Sequence, residues 1–169
     1  MAKLNMELNV NPCEIKGTNA PEPGIYYVQI VDVDDRRIPT DKGFVADKLK
    51  LEVLSGTVIG QENKFVYQSI FLRPNKSGVM EETDLHLRWA WAAGLVAPGQ
   101  SIDFRPAMLS GKCVVIQVDK DKSGRYTNIT SGGYDVWRPD HQEVKLVPKI
   151  DAPQPVASSR DNLDDIFPK

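Results

Sequence analysis

Hydrophobic and polar residues alternate most regularly between Phe44 and Leu54, where Leu49, Leu51 and Val53 are interleaved with Lys48, Lys50 and Glu52. A period of two sends one set to each face of an extended chain, so this segment predicts a half-buried strand. Upstream, the turn Pro21-Glu22-Pro23-Gly24 opens an apolar run from Ile25 to Val33 that predicts another strand, followed by a polar loop from Asp34 to Gly43. Lys64 to Leu72, rich in aromatic and β-branched residues, predicts a third strand, and Pro74 to Gly78 ends it. Lys112 to Asp119, with Val114, Ile116 and Val118 on one face, predicts a fourth. Asp119 to Arg125 reads as a hairpin loop, and Tyr126 to Val136 as the returning fifth strand.

One segment carries a helical period. From Asp84 to Ala93, Leu85, Trp89 and Ala92 fall on one stripe and Leu87 and Trp91 on the next. Thr83 suits the N-cap, Glu81, Glu82 and Asp84 suit the positive end of the helix dipole, and Gly94 suits the C′ position. Residues 1–20 read as an N-terminal arm in which Leu4 to Val10 could add an edge strand. Residues 21–147 read as the folded domain. Residues 148–169, with Pro148, Pro153, Pro155 and Ser158-Ser159, read as a disordered tail. Three strands, a short helix and two more strands is the order of the five-stranded Greek-key barrel known as the OB-fold, with its helix between strands three and four. The predicted class is therefore mainly β. Trp89 and Trp91 point in different directions, so one is expected to plug the barrel, the other being core, a protein contact or a half-buried ring. Tyr134 and Trp137 read as edge packing, with stacking on a ligand as the alternative.

Composition narrows the function. A chain of 169 residues with 12 Gly and 12 Pro suits one domain of short strands and many turns. No apolar run approaches the ~18 residues that span a bilayer. Nothing after Met1-Ala2-Lys3 resembles a signal peptide, so a cytoplasmic protein is expected. Two cysteines (Cys13 and Cys113) and two histidines (His86 and His141) cannot supply a disulfide framework, a zinc site or a histidine-rich centre, so no metal or cofactor is expected. The acids Asp32, Asp34 and Asp35 could hold Mg²⁺ in a nuclease, but no base or nucleophile accompanies them, and an enzyme is not expected.

The formal charge of −2 is unevenly placed. Residues 151–169 hold four acids and two bases, so the excess negative charge lies there and residues 1–150 are neutral. Positions 36–76 hold eight bases against four acids, and a local field of that sign steers anions whatever the total. Single strands are held by a basic groove beside rings on which bases stack. Lys48, Lys50 and Phe44 share the polar face of the second strand. In the third strand Phe65, Tyr67 and Phe71 share one face, and Val66, Ile70 and Leu72 the other. If the aliphatics point inward, the aromatics line the outside beside the lysines. If the aromatics point inward, only Phe44 remains as a platform. Arg73 and Lys76 after the third strand, with Lys120, Lys122 and Arg125 in the hairpin loop, complete the candidate DNA-binding set.

Two resemblances bear on this. The tip Asp164-Asp165-Ile166-Phe167 is similar to the acidic tails of bacterial and phage single-stranded-DNA-binding proteins, although Pro168 and Lys169 follow the aromatic here. That likeness implies recruitment of replication and recombination proteins, and the bland alternative is a frayed end whose acids aid solubility. The body resembles a phage-encoded family found among recombination and replication genes. The likeness runs through Pro23-Gly24-Ile25-Tyr26, Asp41-Lys42-Gly43, Leu49-Lys50-Leu51-Glu52-Val53-Leu54-Ser55-Gly56, Leu109-Ser110-Gly111-Lys112, Val114-Val115 and Gly124-Arg125-Tyr126. It spans roughly residues 20 to 137 and implies a single-stranded-DNA-binding OB-fold without strong sequence preference. Self-association through the N-terminal arm is a further expectation. The competing expectation, favoured by the neutral body, is a protein-interaction module with an OB-like barrel and no nucleic-acid role.

Overall fold

A computed structural model describes residues 19–150. The segment Leu4 to Val10 and the tip Asp164, Asp165, Ile166 and Phe167 lie outside the described residues. The main sheet contains β1 (Gly24–Asp34), β2 (Ala46–Gly56), β3 (Phe65–Phe71), β6 (Cys113–Lys120), β7 (Thr127–Ile129) and β8 (Val136–Trp137). Its order is β3-β2-β1-β6-β7, every pairing is antiparallel, and β8 also pairs β6. The outermost strands, β3 and β7, lie alongside one another. The sheet therefore curls into a nearly closed barrel, with α1 (Asp84–Ala92), the one α-helix among the described residues, between β3 and β6.

The inward faces follow the predicted alternation. Leu49, Leu51 and Val53 of β2 meet Val28 and Ile30 of β1, Val66 and Ile70 of β3, and Val114, Ile116 and Val118 of β6, all buried. Trp89 fills the interior from α1, its indole Nε1 donating to the Gly133 carbonyl at 3.1 Å. Burying so large a ring requires a partner for its one polar atom, and this bond supplies it. Tyr26 is equally buried and crosses Gly56, where a Cβ would sit 2.3 Å from its ring, so only glycine fits there. Its hydroxyl donates to the Glu22 carbonyl at 2.6 Å. Burial, with the Glu22 charge nearby, pushes that phenol up to about 12.

The structure departs from expectation in three places. The predicted fifth strand is interrupted: Ile129 pairs Val118 and Val136 pairs Ile116, so residues 130–135 loop out opposite Gln117 alone. Ser131, Gly132 and Gly133 all have positive φ (57°, 64° and 97°), and consecutive left-handed residues cannot remain in a ladder. The segment after β3 is a small hairpin, β4 (Arg73–Pro74) with β5 (Met80–Glu81), rather than a simple turn. Past Arg138, where the apolar pattern fades, Val144 and Val147 cover Val115 and Trp137 on the outer face of β6. Pro148 still accepts a bond from the Ser55 hydroxyl, and Lys149 Nζ donates to the Val144 and Val147 carbonyls at 2.9 and 2.7 Å. The chain is thus held at the point where the tail is predicted to begin. Among the described residues no helix is long and apolar enough to cross a membrane.

Candidate nucleic-acid interface

The register between β2 and β3 decides which face of β3 is outside. Leu51 pairs Val66 and Lys50 pairs Tyr67, and paired residues share a face. The aliphatics therefore enter the core with Leu51, and the rings are carried outward with the lysines. Tyr67 is 65% exposed, Phe71 52% and Phe44 58%. Phe44 meets Phe71 edge to face with centroids 6.2 Å apart. Lys50 Nζ lies 4.4 Å from the centroid of the half-buried Phe65 ring, within cation–π range. Lys48 is exposed one pair along, opposite Ser69. The structure thus gathers Phe44, Lys48, Lys50, Phe65, Tyr67 and Phe71 on one continuous outer surface.

The other basic candidates are exposed but belong to separate projections. Arg73 and Lys76 ride the β4–β5 hairpin, whose tip is organised by Asn75 Oδ1 accepting from the Ser77 and Val79 amides at 2.8 and 3.0 Å. Lys120, Lys122 and Arg125 lie at the β6–β7 turn. A cleft of about 870 Å³ opens where β3 and β7 fail to pair. Its lining includes Tyr67 and Phe71 of β3, Asn128 and Ile129 of β7, and the charged side chains of Arg73, Glu81, Glu82 and Asp84. Tyr134 also lines it and is 43% exposed, whereas Trp137 is packed against the outer face of β6. Edge packing therefore describes Trp137 but not Tyr134.

Beside this surface lies an ionic clamp that no sequence motif announces. Asp47 is fully buried at the start of β2. Its carboxylate accepts from Arg37 Nε and from the second guanidinium nitrogen at 2.9 and 3.1 Å, and from His86 Nε2 at 2.9 Å. His86 Nδ1 accepts the Thr83 amide at 2.9 Å, which fixes the ring proton on Nε2. Arg37 also reaches Glu82 at 3.0 Å. Burial pushes the Asp47 carboxyl up, but the hydrogen bonds from His86 and Arg37 and the Arg37 charge outweigh it and hold the group below its ordinary value. The available signal was an acid on the inward parity of an otherwise aliphatic strand. The clamp joins the β1–β2 loop to the start of α1. Its members satisfy one another, and none of their buried polar atoms lacks a hydrogen-bond partner.

Two of the eight bases in the 36–76 window are consumed by such pairs. Arg37 is spent on Asp47, and Arg36 on Asp34 at 2.8 Å, whose hydrogen bonds hold the Asp34 carboxyl below its ordinary range. Among the described residues no three His, Cys, Asp or Glu side chains gather as a metal site. Burial pushes the Cys113 thiol up, against a weaker hydrogen bond from Tyr27, which disfavours the reactive thiolate. No protein-family model matches the chain, and no curated protein matches it either.

Proposed function

We propose that this protein is a non-catalytic binding module built on an OB-type barrel. The strand order β3-β2-β1-β6-β7 with α1 between β3 and β6 supports that topology, the interrupted β7–β8 run standing for its fifth strand. The ligand is single-stranded DNA, bound without strong sequence preference in replication or recombination, as in the phage family that the body resembles. The observation that carries the reading is the exposed row of Phe44, Tyr67 and Phe71 set among Lys48 and Lys50. Solvent-exposed rings in a sheet are costly to leave uncovered, and rings beside cations are what stacked bases and phosphates require. Arg73 and Lys76 on the β4–β5 hairpin and Lys120, Lys122 and Arg125 at the β6–β7 turn would add phosphate contacts. The acidic tip Asp164 to Phe167 would serve as the hook for partner proteins.

The test is a titration of a labelled oligothymidine strand at low salt, with duplex of equal length as control. Anisotropy is the suitable readout, because Trp89 is buried in the core and Trp91 and Trp137 pack in the separate cluster around β6 and the 142–147 segment. Binding of the single strand, with log K falling linearly against log salt at about −0.7 per neutralised phosphate, is the expected result. Equal affinity for duplex, or none for either, removes the proposal. The latter outcome would favour a protein ligand for the same rings, which the neutral body also permits.

A further inference from the structure

We infer that Tyr134 is a base-stacking residue and that the cleft between β3 and β7 seats a nucleobase swung out of the strand; this rests on the single-strand reading above. The turn from Thr130 to Asp135 does more than end a strand. Ser131 holds φ 57° without being glycine, and Gly132 and Gly133 continue the left-handed path. Such backbone persists only where its surroundings over-determine it, and non-glycine residues of this kind cluster at ligand sites.

The surroundings here are explicit. Trp89 Nε1 donates to the Gly133 carbonyl and Arg88 Nε to the Tyr134 carbonyl, both at 3.1 Å. The Asp135 carboxylate accepts from the Ser131 hydroxyl at 3.0 Å and from the Thr130 hydroxyl. Gly133 lies so close to β3 that a Cβ would stand 2.7 Å from Gln68 Nε2. Every one of these contacts holds the main chain of the turn or its flanking polar side chains. None holds the Tyr134 ring, which is left 43% exposed on the cleft wall. A ring on a fixed backbone loses little freedom when it meets a ligand.

The cleft suits a base better than a phosphate. Its volume of about 870 Å³ is ample for a planar heterocycle, and Tyr67 and Phe71 line the same space as Tyr134. Asn128 offers both a donor and an acceptor to a base edge. Three carboxylates (Glu81, Glu82 and Asp84) line the cleft against one base, Arg73, so its net charge is negative, which disfavours a phosphate and leaves a neutral base unaffected. The sugar–phosphate backbone would therefore stay on the Lys48–Lys50 side while the base turns inward.

Full-length protein and an oligothymidine strand test this directly. Tyr134→Ala should weaken binding about 5- to 150-fold, the range of one lost stacking contact, with the salt slope unchanged because no cation is removed. Tyr134→Phe should recover most of that loss. In the unaltered protein, irradiation of a strand carrying 5-iodouracil should cross-link the peptide that contains Tyr134, which needs no variant to fold. Wild-type binding with an indifferent Tyr134→Ala and cross-links confined to other peptides would overturn this inference alone. Failure of the wild type to bind the strand would remove it together with the reading on which it rests.

Discussion

At Phe71 and Lys50 the two components of single-strand binding can be separated. Phe71 is braced by Phe44 and contributes a face for stacking, so Phe71→Ala should cost ~1–3 kcal/mol of affinity at every salt concentration. Lys50 contributes charge, so Lys50→Ala should lower the magnitude of the salt slope by about 0.7 and matter little at high salt. Parallel anisotropy titrations across a salt series check both. A Phe71→Ala variant that alters the slope instead would contradict the division of labour. Both side chains lie on the outer face, so thermal stability should move by less than about 0.5 kcal/mol. The alternation in β3 showed which of its residues share a face. It could not show which face is inside, because that is set by the pairing of Leu51 with Val66, a contact between segments distant in sequence.

At the scale of elements, the clamp of Asp47, Arg37 and His86 ties the β1–β2 loop to the helix, and with it the two flanks of the ring surface. Asp47→Ala would leave a guanidinium and an imidazole N–H without their shared acceptor in a buried site. Removing one partner of a buried pair costs about 3–5 kcal/mol, which should appear as a lower urea midpoint with unchanged slope. The pH dependence has a definite sign. The folded-state carboxyl titrates below its unfolded value of about 3.9, so its contribution is fully present above that pH and declines as the pH falls through the folded-state value. Wild-type stability should therefore fall as the pH drops below about 3.9. Asp47→Asn, which keeps the shape without the charge, should flatten that part of the curve. Long elements with a clean period were legible in the sequence: β2 and the helix, with Thr83 as N-cap, appear within a few residues of their predicted bounds. Short elements were not. The β4–β5 hairpin is two residues to a strand, and the fifth strand is broken by a turn whose conformation depends on Trp89, Arg88 and Gln68, none of them local.

For the whole molecule, the question is how a chain with a formal charge of −2 can attract a polyanion. Part of the answer is segregation. The body to residue 150 is neutral: Asp47 is turned inward, Asp34 is paired with Arg36, and Lys48 and Lys50 face outward from β2 opposite Asp34 and Asp32 of β1, with Glu52 opposite Phe65 on the same face. The remaining excess of acid belongs to residues 151–169. Deleting those residues removes four acids and two bases and brings the formal charge to zero. Removing a net two negative charges from the chain should strengthen or leave unchanged the affinity for oligothymidine at low salt, with the difference fading as salt screens it. The ring surface and the clamp lie wholly within residues 37–86, and the Ser55 hydroxyl still meets Pro148 in the shortened chain, so folding should be retained. A large loss of single-strand affinity on deletion, with the thermal transition intact, would mean that DNA is held by the removed residues and not by the β2–β3 face.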